Sequence, residues 1–329
     1  MRTAWMVALI AGLLVGCGPD DDSSVVPGQV ADEVEGRSVA IRLPTGELTA
    51  TIGSPQDETI DSRDAADAEE HEPPSGGAFI PVQWDFDTFA DIPGSAVINS
   101  DPLEAQASLR LGDEVVELPK PYLVQGIGIG IASPPVQVFY VPSEEADPEL
   151  SLEVTYDGLT QVADVSTGEV AETAATALYG DPVTTPGVPC GPLAYSRYPG
   201  LRAAATCEAS VERVPYLPGE GWAEQGTSYP VVGYRLRLTD AVVDGRSWEP
   251  SAAGSRVTVD SAGSVATVES SVGTVPDSLE EVRAIEVFAP LAPGGQALVA
   301  ATFTVDPQDP DDGASQPEEI TVQATVQLP

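Results

Sequence analysis

The chain has very few cationic side chains. One lysine (Lys120), 13 arginines and a single histidine (His71) stand against 52 acidic residues, and the formal net charge is −38. Binding to nucleic acid depends on Lys and Arg that neutralise phosphates, so this composition excludes nucleic acid as a partner. A polybasic patch for anionic membranes is also missing. The acid excess suits a saline habitat, where salt screens the repulsion, but a biased genome would explain it equally.

The scarcity of histidine limits the chemistry. A Ser/His/Asp or Cys/His arrangement has His71 as its only candidate base, and this residue lies between Glu70 and Glu72 in an acidic stretch. Catalytic groups need a rigid, partly desolvated setting, which such a stretch does not offer. Carboxylate pairs of the glycosidase type carry no information among 52 acids. We therefore predict no catalytic residue and no cofactor.

Cysteine is scarce too, with three in the chain. Cys190 and Cys207 have no histidine near them and are too few for a zinc site, so in an exported chain they are expected to form a disulfide. The acidic segment 306–313 resembles a calcium loop only loosely, because Gln308 and Pro310 occupy ligand positions. We predict no metal site, and weak calcium binding stays open.

Long apolar runs are absent apart from one near the N-terminus. Met1 and Arg2 form a short cationic start, and an apolar run of about 12 residues follows from Ala4 to Val15. A helix that spans a bilayer needs roughly 17–25 apolar residues. Residues 1–16 therefore have the features of a secretory signal peptide.

The segment Leu14-Val15-Gly16-Cys17 closes this run. It resembles the lipobox of bacterial lipoproteins. The resemblance implies that the Cys17 thiol receives a diacylglyceryl group, that the signal is cut before Cys17, and that the lipid anchors the protein to a membrane at the extracytoplasmic face. An ordinary signal peptide and a cytoplasmic protein are the two alternatives.

The rest of the chain has a strand-like pattern. Phe79–Phe86 places Ile80, Val82, Trp84 and Phe86 on one face, and Tyr234–Leu238 alternates in the same way. Alternation with period two, abundant Val and Thr, and turns rich in Pro and Gly predict an all-β protein. The segment Gly126–Ile131, with alternating Gly and Ile, is predicted as a strand and not as a phosphate loop. Only the alanine-rich Val170–Tyr179 is a candidate for a short helix.

Three strand-type matches recur in the same order. Residues 79–86 resemble 229–238, residues 107–118 resemble 255–268, and residues 139–155 resemble 303–325. This internal repeat predicts two tandem β-sandwich modules of immunoglobulin-like size.

The predicted organisation has five parts. After the signal peptide come the lipidated cysteine and an acidic flexible tether (17–40), the first sandwich (41–180), a proline-rich linker (181–199) and the second sandwich (200–329). The acidic stretch Asp57–Pro74 is predicted as a long exposed loop in the first sandwich.

The second module resembles the immunoglobulin-like extracellular modules of bacterial surface lipoproteins grouped as DUF4352-like or telomeric-repeat-like. The resemblance lies in Val231–Leu238 as an early core strand and in Leu291–Gly295 followed by Ala301–Val305. It implies an immunoglobulin-like sandwich in which a Pro-Gly turn leads into a strand that carries Phe303. The family implies no single activity.

Tyr216 and Trp222 are the candidates for ligand binding. They flank a loop shaped by Pro218, Gly219 and Gly221, where two aromatic rings can stack on a sugar or anchor a protein. Alternatively, they cover the end of the second sandwich. The sequence thus predicts a lipid-anchored, non-enzymatic binding or scaffolding protein with an envelope protein or glycan as its partner. The alternative is an enzyme or enzyme accessory that acts on wall polysaccharide.

Overall fold

The computed structural model describes residues 25–29, 34–87, 90, 92, 104–121, 123, 137–180, 185–196, 200–250, 258–259, 263–275, 279–291, 294–307 and 318–329. Within these residues the protein consists of antiparallel strands and one 3₁₀ helix. The prediction of an all-β fold is confirmed. The strand proposed for Gly126–Ile131 lies outside the described residues.

In the described residues of the first half of the chain there are nine strands: β1 (Val26–Pro27), β2 (Gly36–Leu43), β3 (Gly46–Gly53), β4 (Ala78–Asp87), β5 (Gln106–Leu111), β6 (Glu114–Glu117), β7 (Gln137–Ser143), β8 (Leu150–Tyr156) and β9 (Leu159–Asp164). They form a five-stranded sheet in the order β1-β7-β4-β3-β2 and a four-stranded sheet in the order β6-β5-β8-β9. The 3₁₀ helix, Ala174–Tyr179, follows β9 and lies within the segment predicted as a short helix.

The core of this half lies between its two sheets, and β4 shows why. Ile80, Val82, Trp84 and Phe86 are buried while Asp85 between them is exposed, as the alternation predicts. Trp84 packs edge-on against Phe139 with ring centroids 4.8 Å apart. Burial of one face of each sheet in a shared apolar layer stabilises the sandwich.

The outer edge of β2 is closed by side chains. The backbone N–H of Arg42 donates to the Tyr179 hydroxyl at 3.1 Å, and the Gln161 amide donates to the Arg42 carbonyl at 2.8 Å. Tyr179 in turn donates to the Gln161 amide oxygen at 2.8 Å. Because these groups satisfy the Arg42 backbone as a neighbouring strand would, the edge is protected there from pairing with another chain.

The second half has twelve strands within the part of it that the structure describes: β10 (Thr185–Val188), β11 (Ala194–Tyr195), β12 (Arg202–Val214), β13 (Tyr216–Leu217), β14 (Gly221–Trp222), β15 (Tyr229–Val243), β16 (Arg246–Pro250), β17 (Thr258–Val259), β18 (Ser264–Val275), β19 (Leu279–Phe288), β20 (Gln296–Pro307) and β21 (Glu318–Gln327). β13 and β14 pair as a small separate hairpin.

The long strand β15 connects the two layers of the second sandwich. Its residues 231–238 pair with β19, and its residues 241–243 pair with β16. One layer therefore has the order β10-β12-β15-β19-β18, and the other has the order β16-β20-β21-β11 with β17 on β20. Between them lies a second core, in which Leu236, Phe303 and Ile320 are fully buried. Among the described residues, this core shares no side chain with the core of the first half, as two sandwiches require.

The predicted linker, 181–199, is a linker only in part, because its described residues belong to the second sandwich. β10 pairs with β12, and β11 pairs with β21. Between them the backbone of Cys190 forms an isolated antiparallel β-bridge with Val326, and the Gly191 N–H donates to the Thr325 carbonyl at 2.6 Å. The proline-rich composition suggested a free chain, but it also suits short edge strands, where missing N–H donors are tolerated.

The predicted tether, 17–40, is likewise shorter than expected. β1 pairs with β7, and Val26 is buried, while β2 begins at Gly36. The acidic stretch 57–74 is mostly exposed, as predicted, but Ile60 and Ala65 are buried beside Val26 and Phe79. Two apolar side chains therefore hold this loop and the N-terminal strand on the same side of the first sandwich.

The internal repeat does not extend to strand pairing. β7 and β8, the proposed counterparts of β20 and β21, belong to different sheets, whereas β20 and β21 pair directly over ten residues. The two halves are both sandwiches with different strand orders. The sequence matches reflect the shared alternation of apolar and polar residues in β-strands, which any two strands can show.

Candidate functional site

Of the predicted ligand-binding pair, Tyr216 faces the interior, and Trp222 is half-buried against the same core. Tyr216 is 1% exposed and belongs to the core of the first sandwich, although it lies in the second half of the chain. Its ring centroid is 5.1 Å from that of Trp222 and 5.6 Å from that of Tyr156. The Trp222 indole donates to the Tyr156 carbonyl at 2.9 Å. Burial raises the pKa of Tyr216, with further contributions from Tyr156 and Asp157.

These contacts give the aromatic pair a packing role in place of the ligand-binding role. The expectation that both rings would cover the end of the second sandwich is also corrected, because they contact the first sandwich. Asp157 and Gly158, both with positive φ, form the tight turn of the β8–β9 hairpin beside β14. The wall-polysaccharide alternative relied on the Trp222 loop, whose two aromatic rings pack against Tyr156 of the first sandwich.

The predicted disulfide is present, and it joins the two layers of the second sandwich. Cys207 lies on β12. The backbone of Cys190 pairs with Val326 of β21, which belongs to the opposite layer. The chain between them crosses from one layer to the other, from β11, which pairs with β21, into β12. The bond therefore holds together two layers that otherwise meet mainly through apolar packing.

The other sequence-derived candidates are distributed as follows. Cys17 and residues 308–313 of the calcium-like segment lie outside the described residues. His71 lies in the acidic loop, where its Nε2 is 2.9 Å from the Asp67 carboxylate. Among the described residues, no group of three or more His, Cys, Asp or Glu side chains is placed to hold a metal ion.

The structure places an open groove of about 570 Å³ on the outer face of the layer β10-β12-β15-β19. Strand register explains its position. Leu236 and Val282 point into the core, so their neighbours Arg235, Arg237 and Arg283 point outward. The groove crosses the strands beside these arginines.

One buried carboxylate organises the three guanidinium groups. The Glu281 side chain is 3% exposed and forms ion pairs with Arg235 at 3.3 Å, with Arg237 at 2.5 Å and with Arg283. Burial by itself would raise the pKa of Glu281, but hydrogen bonds from Arg237 and Arg283 outweigh it and the pKa is lowered. Glu281 is therefore ionised at neutral pH. Arg235 also pairs with Glu208 at 3.2 Å.

Small residues form the floor of the groove. Ser210 lies opposite Gly233 in the pairing of β12 with β15, and a Cβ at Gly233 would come within 2.8 Å of the Ser210 hydroxyl. On the side away from the arginines, Ile285 packs against the apolar cluster that includes Leu217 and Val231. The groove thus has a cationic wall, a floor of small residues and an apolar wall.

The sequence contained a partial signal for this site. Arg235 and Arg237 alternate with Leu236 and Leu238, so their shared face was readable from the pattern. Glu281 and Arg283 join them only through the pairing of β15 with β19. The sequence pattern does not indicate this pairing, because the residues are 40 or more positions apart.

Comparisons with protein families, with curated proteins and with solved structures found no match for this chain. In the part of the chain that the structure describes, no helix has the length and apolar character needed to cross a bilayer.

Proposed function

We propose that this protein is exported, is anchored by a lipid on Cys17 to the extracytoplasmic face of a membrane, and acts there as a non-enzymatic binding protein. The lipobox-like segment Leu14–Cys17 supports the anchor. Because the chain lacks a polybasic patch, attachment rests on the lipid alone.

The structural observation that carries this proposal is the Cys190–Cys207 disulfide. Disulfides persist in oxidising compartments and are rare in the cytosol of most cells. The two cysteines lie on elements of opposite layers, so the bond is built into the sandwich. A chain with this bond is better suited to the envelope than to the cytoplasm.

The binding role is supported by the groove on the second sandwich. It presents fixed guanidinium groups beside an open floor on a rigid sheet, which is an arrangement suited to recognition. The binding partner is an envelope component, either a protein or a glycan.

Mass spectrometry of the mature N-terminus, on protein extracted from native membranes, tests the anchor. We expect a lipid-modified Cys17, and we expect Cys17→Ser to release the protein or stall its processing. Ser23→Ala, which leaves the cysteine intact, is the control. An unmodified chain that starts at another residue would contradict the proposal.

A further inference from the structure

The groove concentrates positive charge in an otherwise acidic protein. Arg235, Arg237 and Arg283 face two carboxylates, Glu281 and Glu208, on the same outer face of the sheet. The described side chains of this cluster therefore sum to one net positive charge, in a chain whose formal net charge is −38. Such a local reversal of sign is a physical basis for attracting an anion.

The arginines keep donors available for a ligand. Arg283 is 61% exposed in its side chain, and its Nε contacts Glu281. No hydrogen bond to another described residue uses its two terminal nitrogens. Arg235, directly opposite on β15, is 38% exposed. Two like charges at opposed positions of a sheet repel one another, a cost that an anion bound between them would reduce.

The site is also held in position before any ligand arrives. Glu281 is buried and ionised, so it restrains the guanidinium groups that contact it. Restraint of this kind lowers the entropy cost of binding. The absence of a side chain at Gly233 makes room for the Ser210 hydroxyl on the floor beside the arginines, because a Cβ there would come within 2.8 Å of that oxygen.

We propose that the groove binds an oxyanion, a phosphate or a carboxylate, through Arg235 and Arg283. The planar guanidinium fork matches both groups. The ligand carries a single anionic group on an otherwise uncharged body, because a polyanion would meet the acidic surface elsewhere on the protein. Ile285 offers the body an apolar contact. This inference deepens the proposed binding function and rests on it.

Calorimetric titration of the full-length protein tests the proposal. Inorganic phosphate and glucuronate serve as probes of the two oxyanion sources, each at constant ionic strength and up to about 10 mM, since a single small anion binds in the millimolar range. Saturable binding of either probe is expected, and the probe that binds more tightly identifies the source.

Three variants locate the binding. Arg283→Gln should lower the affinity for the preferred probe by about tenfold, because the substitution removes a charged pair of hydrogen-bond donors. In this variant Glu281 still forms ion pairs with Arg235 and Arg237, so we expect the fold to be retained. Arg283→Lys retains the charge without the fork and should give an intermediate loss. Gly233→Ala should also weaken binding by narrowing the floor.

Arg63→Gln is the matched control, since Arg63 pairs with Asp61 in the acidic loop and is 83% exposed. It makes the same charge change away from the groove and should leave binding unchanged. Equal losses in the Arg63 and Arg283 variants would show a general charge effect and overturn the proposal. So would the absence of saturable binding of both probes.

Failure of this inference and failure of the proposed function are distinguishable. If neither probe binds while Cys17 carries lipid, the oxyanion site is wrong and the envelope anchor stands. If a probe binds at the groove while Cys17 is unmodified, the groove stands and the anchor is wrong.

Discussion

The Trp222 indole N–H donates to the backbone carbonyl of Tyr156 at 2.9 Å, and this bond fastens a hairpin from the second half of the chain onto the first sandwich. Tyr216, the other aromatic residue of the hairpin, completes the first core. Leu217, the next residue, is buried in a cluster on the second sandwich. The hairpin β13–β14 thus contributes to the packing of both halves.

The hairpin contact predicts a stability effect that crosses the halves. Tyr216→Ala removes a fully buried ring from the first core and should lower the free energy of unfolding by about 3 kcal/mol. Trp222→Phe keeps most of the packing but loses the bond to Tyr156, and should cost about 1 kcal/mol. Urea denaturation of the full chain measures both. Unchanged stability in Tyr216→Ala would contradict the role given to the hairpin.

The disulfide predicts a second effect. Replacing both Cys190 and Cys207 with Ala opens a loop of 17 residues and should lower the free energy of unfolding by about 3 kcal/mol. Thermal or urea unfolding of the oxidised protein, the reduced protein and the variant provides the comparison, and the last two should behave alike. Thiol titration of unreduced protein from the envelope should find both sulfurs blocked, and two reactive thiols there would refute the bond.

Glu281 predicts a dependence of stability on pH. Its pKa is lowered in the folded protein, so its contribution is present above the ordinary glutamate pKa and is lost as the pH falls through the folded value. Glu281→Gln leaves three arginines without their shared anion and should cost about 3 kcal/mol at pH 7. Unfolding by urea at a series of pH values should show this difference shrinking in acid. Glu117→Gln on an exposed strand position is the control. A difference that stays constant with pH would argue against an ionised Glu281.

The boundary between the sandwiches predicts how fragments behave. A fragment 185–329 keeps β10 on β12, with Val188 buried in the second core, whereas 190–329 keeps both cysteines but loses that strand. Both should give β-type circular dichroism, and the longer fragment should melt at the higher temperature. Equal melting temperatures would show that β10 contributes nothing. An unfolded 185–329 beside a folded full chain would show that the second sandwich depends on the first.

Residues with a strong local pattern were predictable. The alternation in β4 and β15 identified both strands and their buried faces, and the two remaining cysteines identified the disulfide by elimination. The capped 3₁₀ helix at Ala174–Tyr179 lies within the one segment with helical character. In each case the signal is carried by neighbouring residues or by residue scarcity, so no knowledge of the fold was needed.

The chain by itself therefore determined its β class, the faces of its strands and its pairing of cysteines. Only the tertiary structure decided that Tyr216 fills the first core, that 185–195 joins the second sandwich, and that Glu281 gathers three arginines. Side-chain alternation repeats every two residues in any strand. It therefore indicates which face of a strand is apolar, but it does not indicate which other strand pairs with it. Partners distant in sequence are selected by the packing of whole sheets, which sums many small contacts that no local segment contains.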